Sequence, residues 1–263
     1  MTLEDLGYNS FFESKKKELN LSDFSVARVT AEHKGLYEIK NERGEFLARI
    51  TGRQIFKASG REDYPAVGDW VFVREIGGEE AVIKGILSRA TVIKRIYADK
   101  IQIIASNVDT AFVIESVDRD YNLNRFERYF SIIENGGVKP AIILNKIDIL
   151  TDEETASLLD KTKKRFPEIE IIMTSAKEET GLDNLMRYMF LGKTYCFLGS
   201  SGVGKSSLIN KLLGKKNVKT GEISSYSGRG KHVTTSRQMY FLQNGAIVID
   251  NPGMREVGIA DAG

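Results

Sequence analysis

Apolar positions along the chain follow two rhythms. Between about residues 24 and 88 they alternate or cluster over short stretches: FSVARVT, GLYEIK, EFLARIT, DWVFVRE and EAVIKGIL. Each stretch is rich in β-branched or aromatic residues. Turn signals separate them: Gly35, the NERGE turn, AVGD and Gly77-Gly78. Five short strands in about 65 residues predict a small closed barrel, for which the OB-fold is the commonest design. Such barrels bind oligonucleotides or serve only as packing modules, and the pattern fits both.

From about residue 101 strands alternate with helices. TAFVIESV, KPAIILN, EIIMTSAK and TYCFLGSS read as buried strands. NLNRFERYFSIIENGG reads as a helix with Asn122 as its cap. Its apolar face is Leu123, Phe126, Phe130 and Ile133, and Gly136-Gly137 stop it. TDEETASLLDKTKKRF reads as a second helix, opened by a Thr151–Glu154 capping box and halted before Pro167. QMYFLQN and GAIVIDNPG predict a hairpin around Asn244-Gly245. This grammar predicts an open α/β sheet with helices on both faces and ligands at the strand ends. The charged opening, with SKKKE at its centre, predicts a solvated helix or a frayed arm. The expected organisation is an N-terminal arm or helix (1–23), an OB-fold unit (24–98) and an α/β nucleotide-binding unit (99–263).

Composition narrows the class. Of 263 residues 41% are hydrophobic and 28% charged, the balance of a folded globular chain. No apolar run reaches the roughly 18 residues of a membrane span. The opening MTLEDLGYNS lacks a basic and then apolar leader, so no signal sequence is expected. The lone cysteine, Cys196, excludes an internal disulfide and fits a reducing, cytoplasmic setting. A net charge of +2 is too small to hold nucleic acid by bulk electrostatics, so any RNA contact is local. Lys84, Arg89, Lys94 and Arg95 near the barrel exit are candidates for it.

The second half carries the chemistry. Gly199 to Ser206 reads GSSGVGKS and matches the phosphate-loop pattern G-x-x-x-x-G-K-[ST]. Glycines let the backbone wrap closely round phosphates, and the following helix N-terminus adds partial positive charge. Lys205 would neutralise the β and γ phosphates, and Ser206 would ligate Mg²⁺. NKID ends a strand: Asp148 could accept from both N1–H and the exocyclic amine of guanine, a donor pair adenine lacks. Asn145 could tie this loop to the phosphate loop, and the stem of Lys146 could cover the base. In TSAK the Ala176 N–H, beside Ser175, could meet the guanine oxygen. In VIDNPG, Asp250 would hold Mg²⁺ through a water and the Gly253 N–H would sense the γ-phosphate. Between them, SSYSGRGKHVTTSR suits a mobile switch in which Thr234 or Thr235 closes on Mg²⁺. Its basic charge fits RNA contact or simple balancing of nucleotide charge. The motif order is that of a GTPase cut between DxxG and NKxD.

YPAVGDWV, ASNVDTAFVIES, NLNRFERYF, NKID, GSSGVGKSSLIN, GRGKHVTT and DNPGMREVG together closely resemble the RsgA (YjeQ/YloQ) family of circularly permuted GTPases, from about residue 24 onward. The resemblance implies an OB-fold followed by a permuted GTPase unit. It implies GTP hydrolysis to GDP and phosphate, stimulated by the 30S ribosomal subunit during its late maturation, with 16S rRNA as contact. A cytoplasmic monomer, independent of membranes, is expected. Ser201, Gly202, Val203, Gly204, Lys205, Ser206 and Ser207 would hold phosphates and Mg²⁺, and Thr234 would be the switch threonine. The family's zinc domain, built on three cysteines and a histidine, has no counterpart here, so no zinc ligand is assigned. Where Ras-like GTPases place a water-orienting Gln after DxxG, this chain has Met254. His232, two residues before Thr234, is the candidate for that task, and contact with rRNA or solvent is its alternative role. Lys205, Thr234 and His232 are therefore the expected catalytic residues. The runner-up function is a GTP-regulated RNA-binding module with negligible turnover. An ATPase would need only the phosphate loop and is opposed by NKID.

Overall fold

The computed structural model describes residues 1–33, 35–52, 58, 60–97, 100–118, 121–214 and 237–251. His232, Thr234, Thr235, Gly253 and Met254 lie outside the described residues.

The five predicted strands form as β1 (Ser25–His33), β2 (Leu36–Asn41), β3 (Gly44–Ile50), β4 (Trp70–Gly77) and β5 (Glu80–Ile86). They close in the order β1-β2-β3-β5-β4-β1, with β3–β5 the one parallel pairing. β1 serves both flanks, pairing with β4 through Arg28 and with β2 beyond it. A register shift between Val29 and Ala31 marks where it bends to do so. Ala27, Val29, Tyr37, Ile39, Val71, Val73 and Ile83 fill the inside. The barrel has the OB arrangement that the alternation predicted.

The N-terminal segment forms the helix that was one of its two expected states, but one side of it is buried. Asn9 caps α1 (Ser10–Glu18) by accepting from Phe11 N. Leu6, Tyr8 and Phe12 are buried against Trp70, with the Tyr8 and Trp70 rings edge-on at 4.8 Å. Beside the lysines of SKKKE lies an apolar face that packs with Val26, Trp70 and Leu87 in a cluster separate from the barrel's inside. A second departure is the β6 (Val92–Tyr97) and β7 (Lys100–Ser106) hairpin, a separate two-stranded sheet that straddles residues 98–99.

The α/β part follows: β8 (Thr110–Ser116), α2 (Leu123–Asn135), β9 (Lys139–Asn145), α3 (Asp152–Arg165), β10 (Glu170–Thr174), α4 (Leu182–Tyr188), β11 (Thr194–Leu198), α5 (Lys205–Leu212), β12 (Gln238–Phe241) and β13 (Ile247–Asp250). The order is β10-β9-β8-β11-β13-β12, parallel throughout except for β12. Every residue of β8, β11 and β13 is buried, as strands covered on both faces require. α2 and α3 pack on one face with the β6–β7 hairpin, and α4 and α5 on the other. Asn122 caps α2 and the Thr151–Glu154 box closes in both directions, as the sequence predicts. The Gln238–Ala31 pairing joins β12 to β1, so barrel and α/β sheet form one eleven-stranded sheet.

Candidate functional site

Five parallel strands bring their C-terminal ends to one edge, and the predicted motifs within the described residues leave from that edge. β11 runs into the loop at Gly199, β9 into Asn145, β10 into Ser175 and β13 ends at Asp250. The phosphate loop turns through left-handed backbone at Gly202 (φ +85°) and Gly204 (φ +98°) before α5 begins. Lys205 is nearly buried, and its Nζ donates to Gly199 O at 2.7 Å and Ser200 O at 2.6 Å. Its ammonium is thus fixed over the loop. Burial lowers its pKa, and the nearby Asp250 charge works in the opposite sense. Val203 packs into the core, whereas Ser201, Gly202 and Ser207 are exposed and Ser206 is half-buried.

The guanine-type loop is fastened to the phosphate loop. Asn145 is buried, and its Nδ2 donates to Val203 O at 2.8 Å. Its Oδ1 accepts from Thr174 Oγ1 at 3.1 Å and from Ala176 N at 3.4 Å. One amide therefore ties the ends of β9, β10 and β11. Asp148 accepts from Ser175 Oγ at 2.6 Å and lies 3.9 Å from the Lys177 ammonium. Lys146 has a left-handed backbone and donates to Asp118 Oδ2 at 2.9 Å.

Asp250 is buried, and its Oδ1 has no hydrogen-bond partner among the described residues. Burial raises its pKa and Lys205 partly offsets this. A buried carboxylate oxygen without a partner, on a group that feels the phosphate-loop Lys205, fits a hydrated divalent cation, which would supply the missing partner.

Asn145, Lys146, Asp148, Ser175, Ala176, Gly199 to Ser207 and Asp250 all lie at this edge. Thr174, Asp118 and Tyr129 were not singled out from the sequence. Tyr129, on α2, hydrogen-bonds Ser200, and burial pushes its hydroxyl up to about 12. Arg89, expected to face RNA, is spent inside the fold: it binds Asp69 at 2.7 Å and 2.8 Å and two backbone carbonyls. Lys94 pairs with Glu62 and Arg95 donates to Gln102, and Lys94 stays half-exposed.

A closed OB-type barrel joined to a parallel α/β sheet, in which the guanine-type loop precedes the phosphate loop, is the fold of a circularly permuted GTPase. The chain belongs to the RsgA GTPase family, whose model matches residues 86–260. The small ribosomal subunit biogenesis GTPase RsgA of Opitutus terrae is 38% identical over 98% of this chain and 73% of its own length. RsgA 1 of Listeria innocua is 39% identical over 98% and 72%. Among solved structures, YjeQ from Thermotoga maritima superposes with a TM-score of 0.67 at 21% identity, covering 90% of this chain and 77% of its own. YloQ, described as a circularly permuted GTPase, gives 0.62 at 20% identity over 90% and 74%. At those identities the structures speak for the fold.

Proposed function

We propose that this chain binds GTP and Mg²⁺ and hydrolyses GTP to GDP and phosphate while engaged with the small ribosomal subunit, whose maturation it assists. The observation carrying this reading is Asn145: its bond to Val203 O makes the base-reading and phosphate loops one rigid site. Asp148 reads guanine, with Ser175 orienting it and Ala176 beside the base. Ser201 to Ser207 cradle the phosphates, and Lys205 neutralises them. Ser206, Thr234 and, through water, Asp250 hold Mg²⁺, which supplies charge neutralisation on the phosphates when bound. Gly253 senses the γ-phosphate, and His232 orients the attacking water in place of the missing Gln. Residues 24–98 form the unit that faces 16S rRNA and 99–263 the nucleotide unit. The protein works in the cytoplasm as a monomer; among the described residues no helix is long and apolar enough to cross a membrane.

The test is GTP turnover across a titration of 30S subunits, with ATP as competitor. Stimulated turnover that ATP does not inhibit is expected. Equal displacement by ATP and GTP removes Asp148 from its role, and absence of stimulation favours the RNA-binding module of negligible turnover. At saturating subunit, His232→Ala is expected to lower stimulated turnover by about 10²-fold, the scale of a lost acid–base group. Wild-type turnover in that variant rejects the assignment.

A further inference from the structure

Lys146 is held at both ends. Its backbone is left-handed, at φ +67°, directly after β9. Its ammonium is bound 2.9 Å from Asp118 Oδ2, on the segment that follows the neighbouring strand β8. Asp118 is itself oriented, because its Oδ1 accepts from Ser116 Oγ at 2.9 Å. Val117 N donates to Asn145 O at 3.0 Å and locks the two strand ends together. The four-carbon stem of Lys146 therefore runs from the loop that carries Asp148 to the segment after β8. A lysine stem is among the most rotamer-rich side chains, and ordering it opposes binding unless the order is already present.

Resting on the guanine-nucleotide reading above, we propose that Asp118 is a positioning residue for nucleotide affinity. It holds the Lys146 stem extended as a preformed wall of the purine site, without touching nucleotide itself. Each partner is about one-third exposed, at 36% and 33%. A pair so exposed adds little to the stability of the fold, so its effect belongs in binding.

The experiment is a double-mutant cycle on GDP affinity, read with a fluorescent GDP analogue, beside steady-state GTP turnover. Asp118→Asn is expected to weaken GDP by on the order of tenfold through the released lysine rotamers. It should raise KM by a similar factor and leave kcat at saturating GTP within about twofold, since the chemistry is untouched. Asp118→Glu, which keeps the carboxylate, should recover most of the affinity. In a Lys146→Met background Asp118→Asn should have no further effect. Wild-type affinity in Asp118→Asn, or an equal loss in both backgrounds, overturns the proposal. A wild-type protein that binds no GDP overturns instead the guanine reading beneath it.

Discussion

Asp250 and Lys205 bury opposite charges at the same strand edge without closing an ion pair. Burial raises the Asp250 pKa more than Lys205 lowers it, and burial lowers the Lys205 pKa more than Asp250 raises it. Each charge is thus a net cost to the nucleotide-free fold. The sign for Asp250 follows from linkage. Its folded pKa lies above the ordinary carboxylate value of about 3.9, so the folded state holds the proton more tightly. Stability from this group is full below that value and is lost as pH rises through the folded pKa. At neutral pH a neutral amide should therefore be better tolerated than the carboxylate. Asp250→Asn is expected to raise the melting temperature of the nucleotide-free protein by about 2–4 °C, the scale of ~1 kcal/mol in a chain of this size. The same change should remove the strengthening of GTP binding by Mg²⁺. Thermal melts from pH 5 to 8 check this, and a lower melting point in the variant would show that the carboxylate already has a stabilising partner.

The loops at the strand ends differ in how much room they leave. A Cβ on Gly204 would sit 2.2 Å from Asn145 Nδ2, the amide that joins the two loops, whereas one on Gly202 would meet nothing. Both residues have positive φ, so both Ala variants carry backbone strain of about 1–2 kcal/mol. Only Gly204→Ala must also displace Asn145. Gly204→Ala is expected to lose GDP affinity by at least ~10²-fold, two steps of 1.4 kcal/mol beyond that strain, while Gly202→Ala retains a stable fold and a clearly higher affinity. Calorimetric titration of both variants decides it, and equal losses would mean that the Asn145 tether does not matter. This tether was legible in the sequence because Asn145 and Gly204 sit in patterned loops. The barrel strands and both helix caps were legible for a similar reason, since alternation and capping residues act locally. The β6–β7 hairpin was not. RIYADKIQII contains neither glycine nor proline, and the hairpin's Ile93 and Ile104 share a core with α2, a partner distant in sequence. Nor were Tyr129 and Asp118, whose partners Ser200 and Lys146 come close only once the sheet has formed.

Barrel and α/β sheet are joined by more than the chain between them. Gln238 pairs with Asp250 on one side and with Ala31 on the other, so one row of the sheet runs from the nucleotide edge to barrel strand β1. On the same strand β1, Arg28 is fully buried. Its guanidinium donates to Leu6 O, to Gly68 O at 3.3 Å and to Asn107 O at 3.0 Å, bonding the N-terminal segment, the barrel and the entry to β8. It also lies 5.7 Å from the Trp70 ring. Burial pushes its pKa down to about 10, with Asp109 and Asp69 pulling it back, so the cation is retained at neutral pH. Such a group is costly to bury, yet removing it strands three carbonyls, each worth roughly 1–3 kcal/mol when left unsatisfied. Arg28→Met keeps the apolar stem and deletes the fork. It is expected to cost several kcal/mol, concentrated at the junction, since the three acceptors it leaves lie on the N-terminal segment, ahead of β4 and ahead of β8. Trp70, the single tryptophan and fully buried, reports barrel unfolding, while release of a fluorescent GDP analogue reports the nucleotide edge. In the wild type both signals should change at the same urea concentration, as one cooperative unit requires. In Arg28→Met the Trp70 transition should move to lower urea ahead of nucleotide release. Coincident transitions in the variant would show that the strand pairing at Gln238 alone holds the two parts together.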